Sequence, residues 1–369
     1  MNTHLHHTDC DMDWILGGDR VHNAVVLMEG FDHTTATLLT GKGWSLAASS
    51  MVGGRFGTGQ ACHMGTTGST NSTAKLLPAT YATLIVGAAI SVNGFAASTT
   101  GDVLVLKSGA TLTARLFVTT DAFGNFTWGV RNSGGTVIAS GTTKFPQGVA
   151  ASIFHYVEMK IFVNAGTPAS GTCEVHVDGQ TEIASTAGNF GSALMDGIQI
   201  QGTNSNGCEF DDLYIVDTTG AAPRNTFLGE CRIATILATG AGAHTDWTPN
   251  ASTNFSRVNE ASGTFPDSDT TYNSDATVGH IDSYAYGDID TTGTPVYGVQ
   301  VNMYARKDDA GTRQIAPLIR QAGTDYVGTT VTVTSTYTYY SQLYNQDPTA
   351  ADWTAANVNA DEFGVKTIA

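Results

Sequence analysis

The sequence predicts an all-β protein built from two sandwich domains, and three observations carry that prediction. Charged residues make up only 14% of the chain while glycine occupies 42 positions, and Thr, Ser and Asn are abundant. Such a mixture suits extended strands joined by tight turns, because Gly supplies positive φ, Asn and Ser bond back to the main chain, and Thr favours the pleat. Segment after segment then shows period-two alternation, and none longer than about two helical turns reads as helix. Finally, 369 residues exceed what one core usually holds, so two domains are expected.

Residues 1–23 read as a polar arm rich in His and Asp, with Trp14-Ile15-Leu16 as its one apolar spot. So little apolar surface predicts an arm that is disordered when free. Its apolar triplet is expected to dock on a neighbouring subunit or a larger particle, the alternative being that Trp14 folds back on the first sandwich.

Residues 24–217 form one run of strands and turns. Ala82 to Val92 is long enough for a buried strand and too short to span a bilayer. Phe126, Trp128 and Val130 share one face, Asn132-Ser133-Gly134-Gly135 turns the chain, and Thr136 to Ser140 returns. His155, Val157, Met159, Ile161 and Val163 alternate with Tyr156, Glu158 and Lys160. Cys173 to Val177 meets an Asp178-Gly179 turn and runs back from Thr181, and Phe210 to Val216 is the last strand of the domain.

Residues 218–223, Thr218-Thr219-Gly220-Ala221-Ala222-Pro223, read as a linker of small residues closing on proline. Residues 224–369 repeat the β pattern. Val299, Val301, Met303 and Ala305 alternate with Gln300, Asn302, Tyr304 and Arg306; Lys307 to Gly311 is a turn and Arg313 to Gln321 returns. Val331 to Tyr344 is expected as one long strand, followed by a short helical turn over Thr354 to Asn359 and a closing strand, Phe363 to Ile368.

With 17 basic and 33 acidic side chains the net charge is −16. A field of that sign repels phosphate backbones and anionic lipid, so neither nucleic acid nor a membrane surface is an expected partner. The first twenty residues lack the basic and apolar regions of a secretory signal, which predicts synthesis in a cytoplasm. Five cysteines show no CxxC pair and no zinc spacing. Cys62, Cys173, Cys208 and Cys231 are expected as buried free thiols, whereas Cys10, in the polar arm, is where a partner chain could form a disulfide.

Taken together, residues 24–217 resemble the concanavalin A-like (laminin-G-like) jelly rolls of tailed-phage virion proteins. The resemblance rests on Glu29-Gly30-Phe31-Asp32, the Trp44 strand, Tyr156-Val157-Glu158-Met159-Lys160, the Val177-Asp178-Gly179 hairpin and Phe210-Asp211-Asp212-Leu213-Tyr214-Ile215-Val216-Asp217. The second region resembles sequences that follow such domains, at Phe227-Leu228-Gly229, Asp269-Thr270-Thr271-Tyr272, Asp347-Pro348, Trp353-Thr354 and Phe363-Gly364-Val365-Lys366. The resemblance implies a jelly-roll sandwich followed by a second β-sandwich. It also implies a virion structural role, as capsid decoration, fibre, or tail or collar appendage, with copies of itself and other virion proteins as partners. Trp14, Ile15, Leu16 and Cys10 are the assembly candidates.

Relatives of this fold include glucanases, which carry Glu-x-Asp-x-x-Glu on one strand so that one carboxyl donates a proton while another attacks or activates water. Glu209-Phe210-Asp211 begins that spacing, but Tyr214 stands where the second Glu belongs. The motif is broken, and Asp211 and Asp212 read as strand-end or turn-bonding residues. No Gly-x-Ser-x-Gly elbow, His-Glu-x-x-His or phosphate-binding loop occurs, and Gly57-Thr58-Gly59 lacks a following helix. The chain is therefore expected not to be an enzyme and to need no cofactor.

His4, His6, His7, Asp9 and Asp11 could ligate a metal in type, but the arm offers no scaffold. Asp267 to Asp275 lacks the glycine and terminal Glu of a calcium loop. For a lectin-like module that binds host surface glycans, Trp44, Trp128, Trp247 and Trp353 are the stacking candidates, each also readable as core or loop anchor.

Overall fold

The computed structural model describes residues 5–16, 25–45, 50–65, 70–148, 151–203, 207–219, 224–260, 266–289 and 295–369. The chain divides into two compact units: His22–Arg232, and Ile233–Ala369 together with Met1–Val21. Each is a pair of antiparallel sheets, the all-β sandwich architecture that composition and alternation predict.

In the first unit, one sheet runs in the order Val137–Ser140, Asn125–Asn132, Thr111–Thr120, Thr100–Ser108, Met195–Thr203, Thr70–Tyr81. The facing sheet runs Gln180–Gly188, Gly171–Val177, Phe154–Phe162, Thr83–Val92, Cys208–Asp217, Gln60–Met64, Ser50–Gly53, with Val25–Glu29 also on Cys208–Asp217. Alternation sends Val86, Ala88 and Ile90, Val157, Met159 and Ile161, and Phe210, Leu213 and Ile215 inward, against Leu116, Val118, Trp128 and Ile198 from the other sheet. Trp128 meets Phe126 edge-on at 5.3 Å. The Asp178-Gly179 turn has both φ values positive, at 50° and 74°, as a two-residue hairpin of right-handed twist requires.

The second unit pairs a sheet of order Thr248–Pro249, Asn273–Asp275, Leu5–Leu16, Val296–Lys307, Thr338–Tyr344 with one of order Ala238–Thr245, Ile281–Tyr286, Glu362–Thr367, Gln314–Gln321, Thr324–Val327. Ile233–Ile236 also pairs with Leu5–Leu16, and Val331–Thr332 with Gln314–Gln321. Its core gathers Tyr284, Val299, Val301, Ile319, Trp353, Val358 and Phe363, with Trp247, Met303, Ile315 and Val365 packed as a further cluster. The helical turn is Ala355–Ala360, capped by the Thr354 hydroxyl, which accepts from the Asn357 N–H at 3.1 Å.

Four sequence expectations are corrected. The arm is not free. Leu5–Leu16 is a central strand of the second unit, paired with Val296–Lys307 from Leu5↔Lys307 to Leu16↔Val296, and on its other edge with Ile233–Ile236 and Asn273–Asp275. Main-chain pairing on both edges supplies what its sparse apolar surface could not. Cys10 stands opposite Met303, Trp14 opposite Val299 and Ala234, Ile15 opposite Gly298 and Ile233, and Leu16 opposite Val296.

The unit boundary lies at 232/233 rather than in residues 218–223, because the chain after Asp217 stays on the first sandwich and buries Leu228 and Cys231 there. Residues 220–223 of the expected linker lie outside the described residues. The stretch Val331 to Tyr344 is two strands, Val331–Thr332 and Thr338–Tyr344, each in a different sheet. Val296–Lys307 and Gln314–Gln321 likewise do not form a hairpin; the turn between them carries the chain from one sheet to the other.

Deleting residues 1–16 should therefore unfold the second unit while the first keeps its own transition. Eleven register pairs join the strand to Val296–Lys307 alone, and ladder bonds at about 1 kcal/mol each rival a domain's whole stability of about 5–15 kcal/mol. Calorimetry should show one transition lost; two transitions at unchanged midpoints would contradict the strand assignment.

Candidate functional site

The candidate site is the face of the Cys208–Asp217 sheet that points away from the core. Alternation puts polar groups there in three rows across neighbouring strands. Phe154, Ser91, Glu209 and His63 align in the first, Tyr156, Ala89 and Asp211 in the second, and Glu158, Gly87 and Tyr214 in the third. The central strand contributes only Ser91, Ala89 and Gly87, so a trough runs between larger flanking side chains. Gly87 is obligatory in it, since a Cβ there would sit 2.1 Å from Tyr214 Cε1.

A bulge sets the spacing along Cys208–Asp217. The ladder slips between Asp211 and Tyr214, and Asp212 takes φ 51°. The extra residue returns Tyr214 to the same face as Glu209 and Asp211.

In the third row the Tyr214 hydroxyl donates across Gly87 to Glu158 Oε1. Burial pushes Glu158 above the usual carboxylate range, and the Tyr214 and Gly229 donors pull it only part of the way back. Burial and the neighbouring Glu158 push the Tyr214 phenol well above its ordinary value, so it stays a donor. Tyr156 stacks beside Tyr214 with centroids 6.5 Å apart, and its hydroxyl donates to the Asp212 carbonyl at 3.2 Å.

In the second row Asp211 accepts the N–H groups of Arg55 at 2.9 Å and Asp212 at 2.8 Å. Burial, then the charges of Asp212 and Asp32, raise its pKa. The Arg55 guanidinium pairs with Asp212 at 3.3 Å and with Glu230, and donates to the Cys231 carbonyl at 3.3 Å. In the first row Glu209 lies 3.7 Å from His63 Nδ1. Burial works to raise it, but His63, Ser152 and Asn93 outweigh that and hold it below the ordinary value. Two carboxyls on one strand thus have their pKa values driven apart, which is the electrostatic condition for acid–base work.

Access is a separate condition, and the chain itself removes it. Phe227 stacks on His176 at 4.0 Å. The Leu228 N–H donates to the Tyr214 hydroxyl at 3.2 Å, and the Gly229 N–H to Glu158 Oε1 at 2.9 Å. The Arg232 guanidinium lies 4.9 Å from the Phe56 ring centroid and that of Arg55 4.8 Å from it. Beneath this cover Tyr214 is 0% exposed, Glu158 and Asp212 are each 2%, and Asp211 is 4%. A substrate reaching Glu158 and Tyr214 would have to displace residues 227–232.

The sequence located Glu209, Asp211, Asp212 and Tyr214 and read Asp211 and Asp212 as strand-end or turn-bonding residues; they lie within Cys208–Asp217, at its bulge. It missed Arg55, Tyr156, Glu158 and the covering segment. Glu158 in the alternation of Tyr156 to Lys160 was the available signal, as an acid at an outward-facing strand position.

The remaining candidates are accounted for individually. Trp44, Trp128, Trp247 and Trp353 are each no more than 2% exposed, so none offers a stacking face; Trp44 Nε1 donates to Glu29 and Trp353 Nε1 to the Tyr344 carbonyl. Asp267 accepts from Thr271, Asp269 pairs with Arg306, and Asp275 bonds His280 and Thr367. These carboxylates do not converge on one point. His6, His7, Asp9 and Asp11 lie on Leu5–Leu16, while His4 is outside the described residues. Cys62, Cys173, Cys208 and Cys231 are buried free thiols.

No family model matches the chain, and no curated protein matches it. Among solved structures it is similar to alginate lyase Aly36B, at 12% identity over 51% of this chain and 95% of that one, with a TM-score of 0.39. Alginate lyase vAL-1 from Chlorella virus matches at 10% identity over 52% and 99%, TM-score 0.38. The carbohydrate-binding module CBM66 from Bacillus subtilis matches at 13% identity over 47% and 96%, TM-score 0.30. The likeness is one of sandwich form and carries nothing about substrate.

The raised Asp211 gives a pH test. A carboxyl with its folded pKa above its unfolded value of about 3.9 contributes stability below that pH and loses it as pH rises through the folded value. The Asp211→Asn variant should therefore gain on wild type in melting midpoint as pH rises from the ordinary carboxylate range. A difference that stays flat with pH would contradict the buried setting of Asp211.

Proposed function

We propose that this chain is a structural component of a phage particle, working through protein–protein assembly surfaces and not through catalysis. One observation carries the non-catalytic half: the chain's own residues 227–232 close over the Glu158–Tyr214 row of the polar face, and their main chain takes up the hydrogen-bonding capacity of both groups. Two of the polar groups of that face, Glu158 and Tyr214, are spent on fastening a segment to a sheet. The particle half rests on the resemblance of residues 24–217, and of the region after them, to tailed-phage virion proteins. Capsid decoration, fibre, and tail or collar appendage are the positions it fits, and such a protein would be made in the host cytoplasm and released in the virion.

A lectin-like role is the second reading, favoured by a cleft of about 400 Å³ on the first sandwich lined by Trp44, Ser45, Lys75, Leu76 and Lys107. Leu76 is 72% exposed there. Two lysines beside an apolar side chain suit an anionic glycan, on a chain that is otherwise acidic.

Both readings are tested with purified material. Incubated with alginate and β-glucan, the wild type should release neither unsaturated uronates nor reducing ends, and Glu158→Gln, Glu209→Gln and Asp211→Asn should change nothing. Cleavage by wild type that is lost in any of these variants would overturn the assembly reading. Stoichiometric presence in purified particles, by mass spectrometry, is the positive outcome. Retention on an anionic glycan array, abolished by Lys75→Glu with Lys107→Glu, would favour the lectin reading in its place.

A further inference from the structure

The second sandwich is built around a strand that its own contiguous chain does not contain. Leu5–Leu16 precedes the whole of the first unit in sequence, yet its partners Ile233–Ile236, Asn273–Asp275 and Val296–Lys307 all follow that unit. Among the described residues it pairs with no strand of the first unit.

It is also a bridge. On one side lie Val296–Lys307 and Thr338–Tyr344; on the other lie Ile233–Ile236 and Thr248–Pro249 with Asn273–Asp275. These two groups have no ladder to each other among the described residues. Residues 233–369 alone would therefore present a slot with unpaired main chain along both walls. The wall strand carries Val299, Val301, Met303 and Ala305, buried in the core of the second sandwich, so its edge main chain is held at a fixed place beside the slot.

A slot of this kind accepts an extended strand of the right sequence whichever molecule supplies it, because the ladder and register are the same in either case. The own strand has the advantage of effective concentration, typically millimolar for a tethered segment. Assembly on a particle places neighbouring copies at comparable local concentration and removes that advantage.

We propose that in the assembled state Leu5–Leu16 is donated to the second sandwich of a neighbouring copy, so that copies link head to tail. The inference rests on the assembly reading and names its partner: a second copy of this chain. Such a contact is heterologous, with donor strand and acceptor slot on different parts of the molecule, and it closes into a ring or continues as a fibre according to the rotation between copies.

The register supplies its own probe. Cys10 stands opposite Met303, and directly opposed residues on antiparallel strands lie within disulfide reach. The full-length Met303→Cys variant, prepared as an equal mixture of heavy- and light-isotope chains, is assembled and then oxidised. If strands are donated between copies, about half of the Cys10 crosslinks should join heavy to light chains, and non-reducing gels should show a ladder of multimers that Cys10→Ser abolishes.

Crosslinks confined to heavy–heavy and light–light pairs, on a single-chain band, would overturn strand donation. Should Met303→Cys fail to fold, wild type assembled with excess synthetic peptide of residues 1–20 replaces it. Shortened assemblies carrying the peptide in stoichiometric amount support donation, and unchanged assemblies overturn it. The assembly reading fails separately, by absence of the chain from purified particles whatever the crosslinks show.

Discussion

Glu158 is held by two donors that come from different places: the Tyr214 hydroxyl on a neighbouring strand and the Gly229 main-chain N–H on the segment that leaves the sandwich. The functional reading of the first unit depends on this one carboxylate. A buried carboxylate without partners is costly, and the penalty falls when fixed donors surround it. Here the donors are also what fasten residues 227–232 to the sheet. Gly87 makes the contact possible by leaving room for the Tyr214 ring, and the bulge at Asp212 makes it possible by turning Tyr214 to the outer face. Further along the trough, Arg55 repeats the arrangement, joining Asp212 on the sheet to Glu230 and Cys231 on the cover.

The result is a face on which Glu158, Tyr214 and, through Arg55, Asp212 hold the chain's own segment to the sheet. Glu209 is held below its ordinary pKa and Asp211 above it, the separation that an acid–base pair would need. Perturbed titration accompanies structural networks as well as active sites. In this sheet burial works to raise Glu209 but His63, Ser152 and Asn93 lower it, and Asp211 is raised by burial and the charges of Asp212 and Asp32.

Much of the first sandwich was legible in the sequence because its information is local. Phe126, Trp128 and Val130 alternate cleanly, Asn132-Ser133-Gly134-Gly135 and Asp178-Gly179 are turn residues in turn positions, and the corresponding hairpins are present. What escaped was information carried between distant segments. Arg55 meets Asp211 from 156 residues away in sequence, and the cover over Glu158 begins after what reads as a linker. The strand Leu5–Leu16 was hidden for the same reason: its ladder partners lie more than 200 residues downstream, and without them its composition is that of a polar arm. The break in Val331 to Tyr344 was missed because alternation alone does not tell a continuous strand from two strands in different sheets.

Amide hydrogen exchange at Leu228 and Gly229 tests the closed face most directly. Both N–H groups donate to buried acceptors, so their exchange should be as slow as that of central-strand amides such as those of Val86 and Val157. Exchange at the rate of an exposed loop, with the sheet itself still protected, would mean that residues 227–232 stand open in solution, and the trough of Glu158, Tyr214 and Asp211 would have to be read again as an accessible site.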